Sequence, residues 1–340
     1  MNTLSSSQTA EGLLQTELSL NKNFLRLFRN TVILLAGPTG VGKTDVSLRL
    51  AELLNGEIIS ADAMQVYQGM NIGTAKVSLN ERQRIPHHLI DVRHVADPFN
   101  VVDFYYEARQ ACRAILNRGR VPIVVGGSGF YFHIFISGPP TGPPANYMLR
   151  KELEQELFQN GCQEMYRRLK EIDPDYANTI TVNDRHKIIR AFEIITLTKM
   201  KVSDHRRHLS LENDAEYNYR AWCLTLPKEE LYRRIEVRCR RMMQEGLLDE
   251  VKNLLSMGIK TNVSAEKAIG YRQWIDFLST EGTDDDYKAA MEKFIKASRS
   301  YIKRQLTWFK KHTLFRPLDG SLMDIAAIAD FIAMDYHLCS

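Results

Sequence analysis

The stretch Thr31–Thr44, TVILLAGPTGVGKT, limits what this chain can fold into more than any other. Thr31 to Ala36 is a short, β-branched, apolar run of the kind that forms a strand covered on both faces. Gly37, Pro38, Thr39, Gly40, Val41, Gly42, Lys43 and Thr44 follow directly and match the P-loop spacing, a glycine and four free positions before Gly-Lys-Thr. An amphipathic helix is predicted over residues 45–54. Glycines let backbone N–H groups turn inward, Lys43 reaches a terminal phosphate as a point charge, and the Thr44 hydroxyl is placed to hold magnesium. A strand before and a helix after separate this arrangement from an ordinary Gly-rich turn, so the expected occupant is a small group of linked phosphates.

The chain has 340 residues, 44% of them hydrophobic, which allows a sizeable core and about two domains. Its formal net charge of +4 says little by itself, because the basic residues are unevenly placed. Five cysteines are scattered without Cys-x-x-Cys spacing, which fits a reducing compartment and argues against both a disulfide framework and a zinc site. His205 and His208 lack the cysteine pair of a metal centre. No apolar run is long enough to span a membrane and no signal-peptide core precedes Thr31, so a cytoplasmic protein is expected. Residues 1–30 read as a polar extension outside the phosphate-binding unit.

Strand and helix then alternate, as a parallel sheet requires. Strands are predicted over 57–61, 88–92 and 121–125, with a helix over 103–117. Asp62 falls just past the carboxyl end of the second strand, where doubly wound sheets place their chemistry. Two readings of it are open, a cap or support for metal-bound water and a general base. The Gly126-Gly127-Ser128-Gly129 turn lies at the same sheet edge and reads equally as a tight turn or a substrate contact.

Four prolines in the run GPPTGPP at 138–144 break the pattern. The expected division is therefore a polar extension over 1–30, a catalytic core over 31–140, a helical insertion over 141–217, and a return strand with helices over 218–340. A strand is predicted over 221–226 and one long helix over 228–257, with Arg234, Arg238 and Arg241 at i, i+4 and i+7 on one face. Such a face is either solvated or directed at phosphates. Residues 293–318 carry eight basic side chains, no acidic one, and the aromatics Tyr301, Trp308 and Phe309. That combination favours a nucleic-acid partner over a plain basic helix.

Taken in order, the motifs resemble the tRNA dimethylallyltransferases, also called tRNA isopentenyltransferases. They are GPTGVGKT from Gly37, ISADAMQVYQGMNIGTAK from Ile59, PHHLIDV from Pro86, VVGGSGFYF from Val124, RRIEVR from Arg233, GYRQ from Gly270 and KRQLTWF from Lys303. The resemblance implies a P-loop NTPase-like α/β fold, a parallel sheet flanked by helices, with a mainly α-helical insertion. It implies transfer of the dimethylallyl group of dimethylallyl diphosphate to N6 of the adenosine on the 3′ side of the tRNA anticodon. The P-loop would then hold a diphosphate, with Thr39, Lys43 and Thr44 as donors and Mg2+ bridging. Asp62 takes the place of the catalytic carboxylate, Thr39 that of a catalytic hydroxyl, and Arg234, with Arg238 beside it, that of the diphosphate-binding arginine. Contacts to the anticodon stem-loop would fall on Asp62, Ala63, Met64, Gln65, Ser128, Arg150, His186, Lys187, Arg190, Arg272, Lys303 and Arg304. Ser128, Ala63 and Lys187 depart from the usual Thr, Ser and Arg; the last keeps charge but loses bidentate geometry. A monomer is expected. A prenyltransferase for free adenine nucleotides, a P-loop kinase and a non-catalytic RNA-binding protein are the alternatives.

Overall fold

A computed structural model describes residues 30–139, 142–204 and 216–338. The expectations for residues 1–29, His205, His208 and Cys339 lie outside them. The chain divides into two compact units, Pro139–Asp214 and the remainder.

In the larger unit β1 (Thr31–Ala36), β2 (Gly56–Ser60), β3 (His87–His88), β4 (Val121–Gly126), β5 (Asn218–Thr225) and β6 (Arg316–Asp319) form one sheet. The order is β3-β2-β4-β1-β5-β6 and every pairing is parallel. Leu34 of β1 lies opposite Val124 on one side and Ala221 on the other. Val32 to Ala36 are fully buried, which is why this strand reads as an unbroken apolar run. The chain fills the β4 side of β1 first and the β5 side afterwards. The loops at the carboxyl ends therefore converge beside β1, where the direction of winding switches.

The helices of this unit are α1 (Lys43–Leu54), α2 (Leu79–Arg84), α3 (Val101–Asn117) and α4 (Gly129–Ser137), and later α8 (Lys228–Gln244), α9 (Leu247–Ser256), α10 (Val263–Glu266), α11 (Tyr271–Phe277), α12 (Asp284–Lys310) and α13 (Ile325–His337). The smaller unit holds α5 (Tyr147–Ile172), α6 (Pro174–Ala177) and α7 (Arg185–Thr198). Its core gathers Leu153, Leu157, Met165, Leu169, Ile188 and Phe192. At one end the fully buried Glu193 carboxylate accepts from Asn146 N at 2.6 Å and from Arg150 at 3.0 and 2.9 Å, and it also pairs with Arg190.

Three expectations change. The strand predicted over 88–92 shrinks to His87–His88, because Leu89 (φ 63°) and Asp91 (φ 57°) adopt left-handed backbone. The Asp91 side chain pairs with Lys76 at 2.5 Å and Arg82 at 2.7 Å. The single helix over 228–257 is two, broken at Gly246 (φ 99°), a conformation costly for any residue with a Cβ. The basic stretch over 293–318 ends in β6, a sixth strand absent from the predicted set, whose Leu318 is buried against the core.

One carboxylate of α9 organises the loop leading away from β2. Glu250 accepts from the backbone N–H groups of Asn71, Ile72 and Gly73 at 2.9, 2.7 and 3.1 Å, and from the Tyr271 hydroxyl at 2.7 Å. Glu250→Ala would leave these four donors without an acceptor. It should lower the unfolding free energy by about 2–4 kcal/mol in urea denaturation, and Glu250→Gln, which keeps one acceptor oxygen, by less.

Candidate active site

The P-loop joins the β1 end to α1, and Gly42 (φ 101°) forms the helix N-cap. Lys43 folds back so that its Nζ donates to the carbonyls of Gly37 and Pro38, both at 2.9 Å. Burial lowers its pKa to about 8; the charge of Arg238 acts in the same direction and that of Asp62 against it. Thr44 is exposed at the first turn of α1.

Two cavities meet beside this loop. The larger, about 860 Å³, is lined by Gly40, Gly42, Lys43 and Thr44 from the P-loop and by Arg233, Arg234, Arg238 and Arg241 from α8. The smaller, about 300 Å³, is mostly apolar, with Met64, Ile235, Met242, Ile269 and Phe294 in its wall and Lys267 and Arg304 also lining it. Thr39, Asp62, Thr74 and Arg238 line both, so these four residues mark the junction. Gly37, Pro38 and Val41 lie behind the surface that lines the cavities.

The four arginines differ in how they are neutralised. Arg233 and Arg234 pair with Glu230, Arg234 at 2.7 Å, and Arg241 pairs with Glu245 at 3.2 Å. Arg238 is half-buried with its Nε lacking a hydrogen-bond partner, and among the described residues it pairs with no carboxylate. Burial lowers its pKa from the ordinary arginine value. A guanidinium without a paired carboxylate beside a buried lysine gives the junction a positive field that favours an anion.

Asp62 Oδ1 accepts from Met64 N at 2.8 Å and Gln65 N at 3.4 Å, a local turn that fixes the side chain at the end of β2. Its charge acts on Lys43 and Arg238 on one side and on Tyr271 and Tyr301 on the other. Both phenols are pushed up by burial, Tyr301 to about 12, and stay protonated as donors. Gln65 accepts from Ser60 Oγ at 2.9 Å and lines the larger cavity, while Ala63 and Met64 line the smaller.

The Gly-Gly-Ser-Gly segment is shaped by close approach. Neither Gly127 nor Gly129 has a positive φ. A Cβ on Gly127 would lie 2.3 Å from Gln305 Nε2, and one on Gly129 would lie 2.1 Å from the Trp308 ring. Both contacts come from α12, which seats against the β4 end. Gln305 was not among the predicted site residues, yet its Oε1 accepts from Thr39 N at 3.0 Å and its Nε2 donates to Gly127 O at 2.9 Å. The signal for it lay in the helix pattern, because Ser298, Ile302, Gln305 and Phe309 form the buried stripe and a polar residue there must find partners.

The remaining predicted residues lie outside the two cavities. Ser128 is half-buried at the start of α4, and Arg272 and Lys303 are exposed on α11 and α12. Within the smaller unit, Arg150 and Arg190 engage Glu193, while His186 and Lys187 are exposed in the first turn of α7.

Residues 65–312 match the family model described as IPP transferase. The chain is 56% identical over 319 residues to the tRNA dimethylallyltransferase of Chlamydia pneumoniae, covering 94% of this chain and 93% of that one. It is 52% identical over 339 residues to that of Chlamydia trachomatis serovar L2, covering all of both. Among solved structures it is similar to a full-length tRNA isopentenylpyrophosphate transferase from Bacillus halodurans, with a TM-score of 0.66, 37% identity, and 91% and 98% of the two chains covered. It is also similar to a eukaryotic dimethylallyltransferase acting on tRNA, with a TM-score of 0.74, 27% identity, and 91% and 79% covered. With a P-loop on a parallel sheet, a carboxylate at the junction of two cavities and this likeness over almost its whole length, the chain belongs to the IPP transferase family of enzymes.

Proposed function

We propose that this enzyme transfers the dimethylallyl group of dimethylallyl diphosphate to N6 of the adenosine on the 3′ side of the anticodon in tRNA, releasing diphosphate. The observation that carries this reading is Asp62 at the junction of a cation-lined cavity and an apolar one. The relatives' activity, read from their names, points the same way.

The diphosphate occupies the larger cavity, against the P-loop N–H groups, Lys43 and Arg238, with Arg234 at its rim. The dimethylallyl group and the adenine meet at the junction, with the base entering through the smaller cavity. An exocyclic adenine amine is a poor nucleophile because its lone pair is delocalised into the ring, so a base on its N–H hydrogen assists attack. Asp62 takes that proton. As the allylic C–O bond breaks, charge grows on the diphosphate, where Lys43, Arg238 and the Thr39 hydroxyl stabilise it more in the transition state than in the ground state. The adenosine must leave its stack to reach Asp62, which costs a few kcal/mol; the exposed Arg272, Lys303 and Arg304 offset this through the RNA backbone. The helical insertion, with Arg185, His186 and Lys187 exposed, supplies a further tRNA contact.

Among the described residues no group of three or more His, Cys, Asp or Glu side chains gathers to hold a metal. Magnesium bound mainly by phosphate oxygens and water needs little from the protein, and the exposed Thr44 hydroxyl on the larger cavity fits that demand. When bound, Mg2+ would neutralise part of the charge on the leaving diphosphate.

A transfer assay tests the reading: labelled dimethylallyl diphosphate with magnesium, offered unmodified tRNA or free AMP. Label in tRNA, lost when the adenosine beside the anticodon is replaced, is expected. Label in AMP alone, or in neither, would overturn it. Asp62→Asn keeps the acceptor for Met64 N–H and removes the base; kcat should fall about 10²–10⁴-fold with tRNA affinity unchanged. Arg238→Met should weaken donor binding roughly 10–100-fold while the melting temperature stays level or rises, because an unpaired half-buried charge is removed. Lys43 is cationic below its pKa of about 8, so kcat/KM for the donor should fall as pH rises through that value. Lys43→Arg should move this limb to higher pH.

A further inference from the structure

We propose that Gln305 is a positioning residue for the transfer step: its side-chain amide sets the orientation of Thr39 and couples the P-loop to the helix that lines the acceptor cavity. The inference rests on the function proposed above. A P-loop binds phosphate with inward N–H groups. Here the Thr39 N–H is already committed, donating to Gln305 Oε1 at 3.0 Å. That bond turns the Thr39 peptide away from the anion and leaves its side chain among the four residues that line both cavities. The same amide donates to Gly127 O at 2.9 Å, so one planar group spans the ends of β1 and β4. Gln305 is 4% exposed, and a Cβ on Gly127 would lie 2.3 Å from Nε2, so a side chain there would displace the amide. With both partners fixed, the amide has one orientation, oxygen toward Thr39 and nitrogen toward Gly127.

The same helix carries Tyr301 and Arg304 into the smaller cavity, four and one residues before Gln305. The seating of α12 therefore sets the acceptor wall and the donor loop together. Loss of the amide bridge would let the Thr39 peptide rotate and displace its hydroxyl from the breaking C–O bond. A displacement of that kind lowers turnover far more than it weakens binding of the anion, which Lys43 and Arg238 still hold.

Gln305→Met and Gln305→Glu in the full chain separate this role from a merely structural one. Methionine fills the space and makes neither bond. A protonated glutamic acid reproduces both, its carbonyl accepting from Thr39 N–H and its hydroxyl donating to Gly127 O. Once ionised it has no donor and faces the Gly127 carbonyl. Burial raises the pKa of such a group, so the glutamate variant becomes its own pH-controlled rescue.

Turnover is measured relative to wild type between about pH 6 and about pH 8.5, with tRNA affinity and melting temperature recorded for each variant. Gln305→Met should lower kcat roughly 10–100-fold at every pH, with donor KM and tRNA affinity within about threefold. Gln305→Glu should approach wild type at the acid end and fall toward the methionine variant at the alkaline end, which is the sign required if the protonated form is the active one. Methionine turnover within about threefold of wild type, or a glutamate-to-wild-type ratio that does not change with pH, would overturn the inference. Failure of wild type itself to label tRNA would instead refute the function on which the inference rests.

Discussion

Two positive charges, Lys43 and Arg238, sit at the meeting point of the P-loop and α8, and among the described residues neither is paired with a carboxylate. Burial lowers the proton affinity of both, and the charge of Arg238 lowers that of Lys43 further. Such an arrangement is unfavourable unless something else in the structure holds it, because desolvated like charges repel. What holds it is the fully buried β1 beneath the loop, the carbonyls of Gly37 and Pro38 on Lys43, and the Asp62 carboxylate acting across the junction. An anion entering the junction would relieve that cost, which is the part the diphosphate plays in the proposed function.

Around that centre the structure is arranged to keep backbone groups where the chemistry needs them. Glu250 captures three N–H groups of the loop after β2, and Gln305 captures one from the P-loop and satisfies one carbonyl from the β4 end. Each of these side chains spans parts of the chain far apart in sequence, and both act on segments that line a cavity. The acidic partners of α8 have a related effect. By pairing with Arg233, Arg234 and Arg241, Glu230 and Glu245 leave Arg238 as the arginine of that face whose charge is directed at the junction.

Features that depend on neighbours along the chain were legible in the sequence. The β1 run, the P-loop and α1 follow from local apolar pattern and glycine placement, and the position of Asp62 follows from the end of a recognisable strand. The spacing of Arg234, Arg238 and Arg241 placed all three on one helix face, and all three line the larger cavity. Less was legible where a local signal competes with a distant partner. The PHHLIDV segment looks like a strand, but Leu89 and Asp91 adopt left-handed backbone and Asp91 pairs with Lys76 and Arg82 from an earlier loop and helix. The glycines of Gly-Gly-Ser-Gly look like turn residues, yet Gly127 and Gly129 serve the approach of α12.

By itself the sequence determined the alternation of strands and helices from β1 to β5, the P-loop spacing and the cationic face of α8, because each arises from short-range sterics and periodicity. Only the tertiary structure decided which arginine stays unpaired, that a cation-lined and an apolar cavity share Asp62, and that Gln305 reaches a P-loop residue 266 positions away. Those outcomes depend on how helices seat against the sheet, and seating is set by the packing of many side chains at once.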